Sequence, residues 1–149
     1  MIARRVVDEK LDTLRRCVLR LRAKTPASLA VLESDEDLQD VLVMALVRAV
    51  QARVDIATHL TAEERAVPTT VRDAFAELAV RGAISRPTAE RLALAVGFRN
   101  LAVHAYDAID WSIVHGVCRA SLDDLTSFAR EIDAYVTAAD DGTAGDGTR

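Results

Sequence analysis

The side chains best suited to chemistry are concentrated in one short stretch, from Arg99 to Tyr106. The Arg99 guanidinium is a permanent cation whose planar fork matches phosphate oxygens. The His104 imidazole exchanges a proton near neutral pH. Together they suit phosphodiester cleavage, in which the histidine moves the proton of an attacking 2′-hydroxyl or of the leaving oxygen, and the arginine stabilises charge on the phosphorus oxygens. This scheme requires no metal ion and no cofactor.

Spacing alone leaves another interpretation open, because an arginine and a histidine near a helix end are commonly a carboxylate partner and a helix cap. On a continuous helix Arg99 shares a face with Tyr106, and Asn100 shares a neighbouring face with His104. Arg99 and His104 would lie about 140° apart around the axis, at about 100° per residue. They converge only if the helix ends near His104, or if two copies of the chain face each other.

Length and composition indicate a single helical domain. Of the 149 residues, 50% are hydrophobic and only 4% aromatic, so the core must be built from aliphatic side chains. Cys17 and Cys118 fall in different predicted helices without metal-ligand spacing, and we interpret them as buried apolar residues. No secretory or membrane segment is evident, so we expect a cytoplasmic location and no membrane partner.

Charge is unevenly distributed along the chain. A net charge of −4 argues against general affinity for nucleic acids, because such affinity depends on the neutralisation of phosphates. Residues 1–24, however, carry eight basic and three acidic side chains, and an acidic run follows between residues 33 and 40. The basic segment is therefore either a solvated helix face or a local surface that meets RNA.

Apolar residues recur every three or four positions in five segments, which predicts amphipathic helices. The segments run from about residue 2 to 23, from Ser34 or Asp35 to about Leu60, from Thr69 or Thr70 to Arg81, from Ser85 to the turn at Tyr106, and from Asp110 to about Val136. The fourth is apolar on two sides, which places it in the centre of the bundle or against a second subunit. We predict an all-α, four- to five-helix up-and-down bundle over residues 1–137, and a disordered tail over residues 138–149.

The run from Gly97 to Tyr106 resembles the signature of HEPN-domain proteins of the HepT-like toxin family. The family pattern is arginine, four residues, histidine, one residue and tyrosine, with asparagine directly after the arginine, and every position matches here. Leu38-Gln39 and Asp55–Leu60 are similar to the family's second helix, and residues 107–114 to the entry into its last helix. The resemblance covers about residues 1–137 and implies a HEPN-like fold.

The resemblance implies a metal-independent endoribonuclease, the toxin of a bacterial toxin–antitoxin pair, which cleaves RNA as a homodimer with two motifs in one cleft. Carried over by position, Arg99 and His104 would be catalytic and Asn100 would support them. The usual partner is an MntA-like nucleotidyltransferase antitoxin, which transfers AMP from ATP onto the motif tyrosine, here Tyr106. The added phosphates would repel RNA from the site.

Other interpretations of the same residues remain. Asp55 either pairs with His59 one helical turn away or supports the cleft from the second predicted helix. The chain as a whole is either the ribonuclease, a non-catalytic HEPN module that binds a nucleotidyltransferase, or a purely structural helical dimer.

Overall fold

The computed structural model describes residues 4–63 and 70–145, and this part of the chain contains helices and no strands. The elements are α1 (Arg4–Lys24), α2 (Leu29–Ser34), α3 (Glu36–Glu63), α4 (Val71–Val80), α5 (Arg86–His104), a 3-10 turn (Tyr106–Ala108), α6 (Trp111–Ala120) and α7 (Leu122–Gly145). The predicted all-α class is confirmed. Within these ranges no helix has the length and apolar character needed to cross a membrane.

The longest helix, α3, is the axis of the bundle. Its 28 residues extend about 42 Å at about 1.5 Å per residue. The whole predicted apolar stripe of α1 is buried in the core with it: Val7, Leu11, Leu14, Val18 and Leu21. Burial of such a stripe is what holds an amphipathic helix of this length in place.

The basic face of α1 is largely paired with carboxylates. Arg4 contacts Asp133 and Asp140 at 3.1 and 3.3 Å, and Arg22 contacts Asp123 at 3.2 Å, so that α7 runs antiparallel to α1. Three further pairs lie within α1, and Lys10 reaches α3. These exposed pairs each stabilise the fold little, but they favour a solvated, internally paired face for this helix.

Several helix starts lie where the sequence predicts a cap. The side chains of Asp35, Thr70, Ser85 and Asp110 accept backbone N–H bonds from Leu38, Asp73, Thr88 and Ser112 at 3.0, 3.1, 3.3 and 2.9 Å, respectively. Such bonds satisfy amide donors that have no partner within the helix. The alternative cap residue Thr69 lies outside the described residues.

The last predicted segment is two helices, and the prediction of one continuous helix there was wrong. The backbone turns at Ser121, whose φ and ψ of −122° and 13° end α6 before α7 begins. Apolar residues nevertheless continue across the break at helical spacing, as Val114, Cys118, Leu122 and Leu125, and all four are buried. The periodicity therefore could not reveal the break.

Other boundaries extend further than the sequence indicates. The connection between the first two predicted segments contains the short helix α2, and α3 continues to Glu63, beyond the predicted end near Leu60. Helix α7 continues to Gly145, beyond residue 137 where the ordered domain was predicted to end. Residues 1–3, the connection at 64–69, and residues 146–149 of the predicted tail lie outside the described residues.

Gly82 ends the α4 segment, as its position after Arg81 predicts. It has a φ of +76°, in the left-handed region, and its amide donates to Ala79 at 3.1 Å. We expect Gly82→Ala to lower the free energy of unfolding by about 1 kcal/mol, because a Cβ disfavours this φ although nothing lies within 4 Å of it.

The matched control is Gly116→Ala in α6, where an added Cβ also meets nothing within 4 Å and the backbone is helical. This change should raise the free energy of unfolding by about 0.5–1 kcal/mol. Thermal and urea denaturation measure both variants, and a Gly82→Ala variant as stable as Gly116→Ala would contradict the assignment.

Candidate active site

The motif helix α5 ends at His104. Ala105 leaves the helical conformation, with φ −146° and ψ 55°, while its amide still donates to the Leu101 carbonyl at 2.8 Å. One of the two conditions under which Arg99 and His104 can converge is therefore met, because His104 stands at a helix end. Beyond it the chain forms the 3-10 turn that begins with Tyr106.

Arg99 is held against α3 by a chain of polar contacts. Its Nη1 donates to Oε1 of Gln51 at 3.1 Å, and Nε2 of Gln51 donates to Oδ1 of Asp55 at 2.8 Å. Oδ2 of Asp55 completes the chain with an ion pair to Nζ of Lys10 at 3.0 Å. Asp55 thus lies on the Arg99 side of α3, two contacts away from the guanidinium.

Asn100 and His104 are exposed. Among residues 4–63 and 70–145, neither side chain is engaged in a hydrogen bond or an ion pair within the chain. Both are accessible to a molecule that approaches the end of α5. The supporting role predicted for Asn100 remains a prediction.

Tyr106 is fixed at its hydroxyl and at its ring. The hydroxyl donates to Oδ1 of Asp40 at 2.5 Å, and the ring meets the Trp111 ring edge-on with centroids 5.9 Å apart. Burial, the hydrogen bond to Asp40 and the charges of Asp40 and Glu36 raise the pKa of the Tyr106 phenol above its usual value. The phenol is therefore protonated at neutral pH and acts as a hydrogen-bond donor.

Two residues of this site were missed by the sequence analysis, Asp40 and Gln51. With Asp55 they form one polar stripe on α3, because eleven residues are close to three full turns and four residues are close to one. The stripe lies opposite α5 and its following turn. It could have been found as three polar residues in register on a helix whose other face is apolar.

An apolar groove runs along another face of α5. It has a volume of about 360 Å³, and Leu94, Phe98 and Ile113 are among its lining residues. Leu94 is 74% exposed and Ile113 63% exposed. The second apolar side of α5 is thus covered only in part, because Leu94 is exposed whereas Phe98 is partly buried against the core. Helix α5 therefore lies at the surface of the bundle rather than in its centre.

Arg53 lies at the base of this groove, almost fully buried. Its Nε donates to the Ala49 carbonyl at 3.1 Å. Burial lowers the pKa of its guanidinium to about 10, and the nearby Asp124 carboxylate opposes that shift. Within the described ranges no three His, Cys, Asp or Glu side chains are grouped as a metal site would require.

Comparison with known proteins identifies the family of this chain. Residues 7–132, most of the chain, match the family described as Ribonuclease HepT-like. The chain belongs to the HepT-like ribonuclease family. The resemblance inferred from the motif is therefore confirmed.

One relative within the family is the mRNA nuclease HepT of Shewanella oneidensis, which is 32% identical over 130 residues, covering 87% of this chain and 97% of the relative. The fold is similar to a toxin–antitoxin crystal structure with AMP-PNP, with a TM-score of 0.80 and 31% identity over 87% of this chain and 98% of the other. It is equally similar to the tri-AMPylated Shewanella oneidensis HEPN toxin in complex with an MNT antitoxin, with a TM-score of 0.80, 32% identity, and coverage of 87% and 97%.

A more distant likeness extends the fold beyond close HepT-like relatives. The cytosolic protein YutE of Bacillus subtilis has a TM-score of 0.79 at 13% identity, with 93% of each chain covered. This likeness concerns the fold alone.

The Tyr106 contact predicts a pH dependence. The pKa of the folded phenol lies above the unfolded value of about 10, so its protonated form contributes stability below about pH 10, and this contribution is lost as the pH rises through the folded-state pKa. In a Tyr135→Phe background, an ultraviolet absorbance titration should place Tyr106 ionisation above that of free tyrosine. Asp40→Asn should lower it, and equal titrations would contradict the contact.

Proposed function

We propose that this chain is the toxin of a bacterial toxin–antitoxin pair and cleaves RNA with Arg99 and His104 in the cytoplasm. The observation that supports this most strongly is the position of the complete motif at the end of α5, with Arg99 oriented by Gln51 and His104 accessible. Membership in the HepT-like ribonuclease family and the relative named mRNA nuclease HepT point to RNA as the substrate.

In the proposed reaction the Arg99 guanidinium binds the scissile phosphate and stabilises the negative charge that develops on its oxygens. Its Gln51 contact occupies one Nη1 donor and leaves the rest of the fork for the phosphate. His104 takes the proton of the attacking 2′-hydroxyl or delivers a proton to the leaving oxygen. Asn100, on the next position of α5, supports the substrate or the histidine.

A homodimer supplies the second half of this site. The groove is lined on α5 by Leu94 and Phe98, and the partly buried Leu101 and then His104 follow at helical spacing toward the end of the helix. A second copy seated on this face would bring its own motif close to His104, so that one histidine acts as base and the other as acid. Light scattering should give twice the mass of one chain, and an active monomer would contradict the shared cleft.

The partner of the toxin is an MntA-like nucleotidyltransferase that adds AMP to Tyr106. A related toxin is tri-AMPylated and bound to an MNT antitoxin, and Tyr106 is the tyrosine of the motif. It lies two residues after His104, at the same end of α5. Each added AMP brings a negative phosphate and a nucleoside beside the residues that bind RNA, which repels and obstructs the substrate.

Substitution of the motif tests the reaction. Arg99→Ala and His104→Ala should each lower RNA cleavage by about a hundredfold or more, because each removes a group that acts on the reacting atoms. Arg86→Ala is the matched control, since Arg86 lies on the same helix but is 90% exposed beside Glu90. It should leave the rate within about twofold.

Failure of the unmodified wild-type dimer to cleave total RNA, with tight antitoxin binding retained, would favour the non-catalytic binding module instead. Equal cell toxicity of the wild type and His104→Ala would contradict the proposed catalytic role of His104. Cleavage products resolved on a denaturing gel distinguish these outcomes.

Modification is tested by co-expression with an MntA-like nucleotidyltransferase and measurement of the intact mass. The wild type should gain whole AMP units, and Tyr106→Phe should gain none because it lacks the accepting oxygen. Tyr135→Phe removes the other tyrosine of the chain and should be modified like the wild type. Addition to Tyr106→Phe would show that another residue is the acceptor.

A further inference from the structure

Tyr106 connects the helix end that carries His104 to the start of α3. Its hydroxyl donates to Asp40, which lies in the first turns of α3, while its ring rests against Trp111 of α6. Only Ala105 separates it from His104. Any movement of the Tyr106 side chain is therefore transmitted to the end of α5 through two peptide units.

The turn beyond His104 is also held by apolar packing, because Ile109 at its end is buried and the Tyr106 ring packs against the core. Its backbone bonds are local, from the amide of Ala108 to Ala105 at 2.9 Å and from that of Ile109 to Tyr106 at 3.1 Å. The side chains of His104, Ala105 and Asp107 are exposed. The Asp40 contact adds a polar connection to α3, and a hydrogen bond to a carboxylate is stronger than a neutral one, so this contact orders the turn together with the packing.

We propose that Asp40 is a positioning residue of the ribonuclease site, which orders the end of α5 through the Tyr106 hydroxyl, and that AMP addition to this hydroxyl breaks the contact. The proposal rests on the proposed function. It assigns a role to Asp40 and gives the modification a second effect, besides obstruction of the cleft, on the position of His104.

The chemistry of the modification requires this break. The phenolic oxygen forms a bond to the α-phosphorus of ATP, the bond from that phosphorus to the bridging oxygen breaks, and pyrophosphate leaves with the electron pair. The phenolic proton passes to the Asp40 carboxylate, which already accepts it in a hydrogen bond, and from there to solvent, so that Asp40 is ionised again after the reaction. The product oxygen has no proton to donate, and its phosphodiester is an anion.

That anion would stand beside two carboxylates. Asp40 is in contact with the Tyr106 oxygen, and Glu36 lies one turn earlier on α3 and acts on the same phenol electrostatically. Attraction between donor and acceptor is thereby replaced by repulsion between like charges. The modified side chain must leave Asp40, and the turn after His104 loses its connection to α3.

The Tyr106→Phe variant distinguishes two effects of AMP addition: obstruction of the RNA cleft alone, and displacement of the helix end that carries His104. The phenyl ring has no added bulk or charge, so obstruction predicts a fully active enzyme. Loss of position predicts reduced activity, because the variant lacks the same donor as the modified protein. Asp40→Ala should have the same effect from the other side of the contact.

The experiment is a double-mutant cycle on cleavage of a fluorescent single-stranded oligoribonucleotide chosen from digests of total RNA. Asp40→Ala and Tyr106→Phe should each lower kcat about tenfold with little change in KM, and the double variant should fall no further. Asp40→Asn keeps an acceptor oxygen and should retain most of the activity. Asp37→Ala, which removes an exposed charge from the same turn, is the matched control.

Amide hydrogen exchange gives a reading that needs no RNA. Exchange at residues 105–109 should be faster in Asp40→Ala and in Tyr106→Phe than in the wild type or Asp37→Ala, with unchanged global stability. Unchanged exchange, additive effects on kcat or a fully active Tyr106→Phe would overturn the role of Asp40 while leaving the ribonuclease in place. A wild type that does not cleave RNA would contradict the proposed function. Amide hydrogen exchange at residues 105–109 would still decide whether Asp40 orders the turn.

Discussion

The hydrogen bonds from Arg99 to Gln51 and from Tyr106 to Asp40 join α5 and the 3-10 turn after it to α3 at two points. Arg99 precedes Tyr106 in the chain, but its partner Gln51 follows Asp40. The two segments therefore run antiparallel. A shift of α5 by one residue would rotate its side chains by about 100° and remove both contacts. The site thus depends on one register between α3 and α5.

The two contacts also explain why α5 ends where it does. Gln51 and Asp40 are about 16 Å apart along α3, whereas seven residues of continuous helix from Arg99 to Tyr106 would advance only about 10 Å. Ala105, with φ −146° and ψ 55°, leaves the helical conformation, so the path from Arg99 to Tyr106 is not that of a continuous helix. The break after His104 therefore lets one segment reach both partners and leaves the imidazole at the edge of the bundle.

Much of this arrangement follows from the sequence. The stripes of α1 and α3 and the caps at Thr70, Ser85 and Asp110 are local signals with direct physical causes, and the structure has them where they are expected. The motif likewise marks the site by itself. The break at Ser121 was not predictable from periodicity, because the apolar pattern continues through it in phase.

The site could be predicted in part only, for a related reason. Arg99, His104 and Tyr106 are close in sequence, and a pattern in one segment can identify them. Gln51 and Asp40 become neighbours of these residues only through the register of two helices some fifty residues apart in the chain. For Asp55 the sequence left open a pair with His59 or support of the cleft, and its contacts to Gln51 and Lys10 depend on the same tertiary packing.

The two cysteines illustrate another consequence of the aliphatic core. Cys17 and Cys118 are 5% and 4% exposed, and burial raises the pKa of both thiols. The reactive form of cysteine is the thiolate, so both residues are protected from oxidants and from alkylating reagents as long as the bundle is folded. A thiol-specific reagent therefore finds no exposed native cysteine on the folded chain. A single cysteine introduced at an exposed position would carry a spectroscopic label at that position alone.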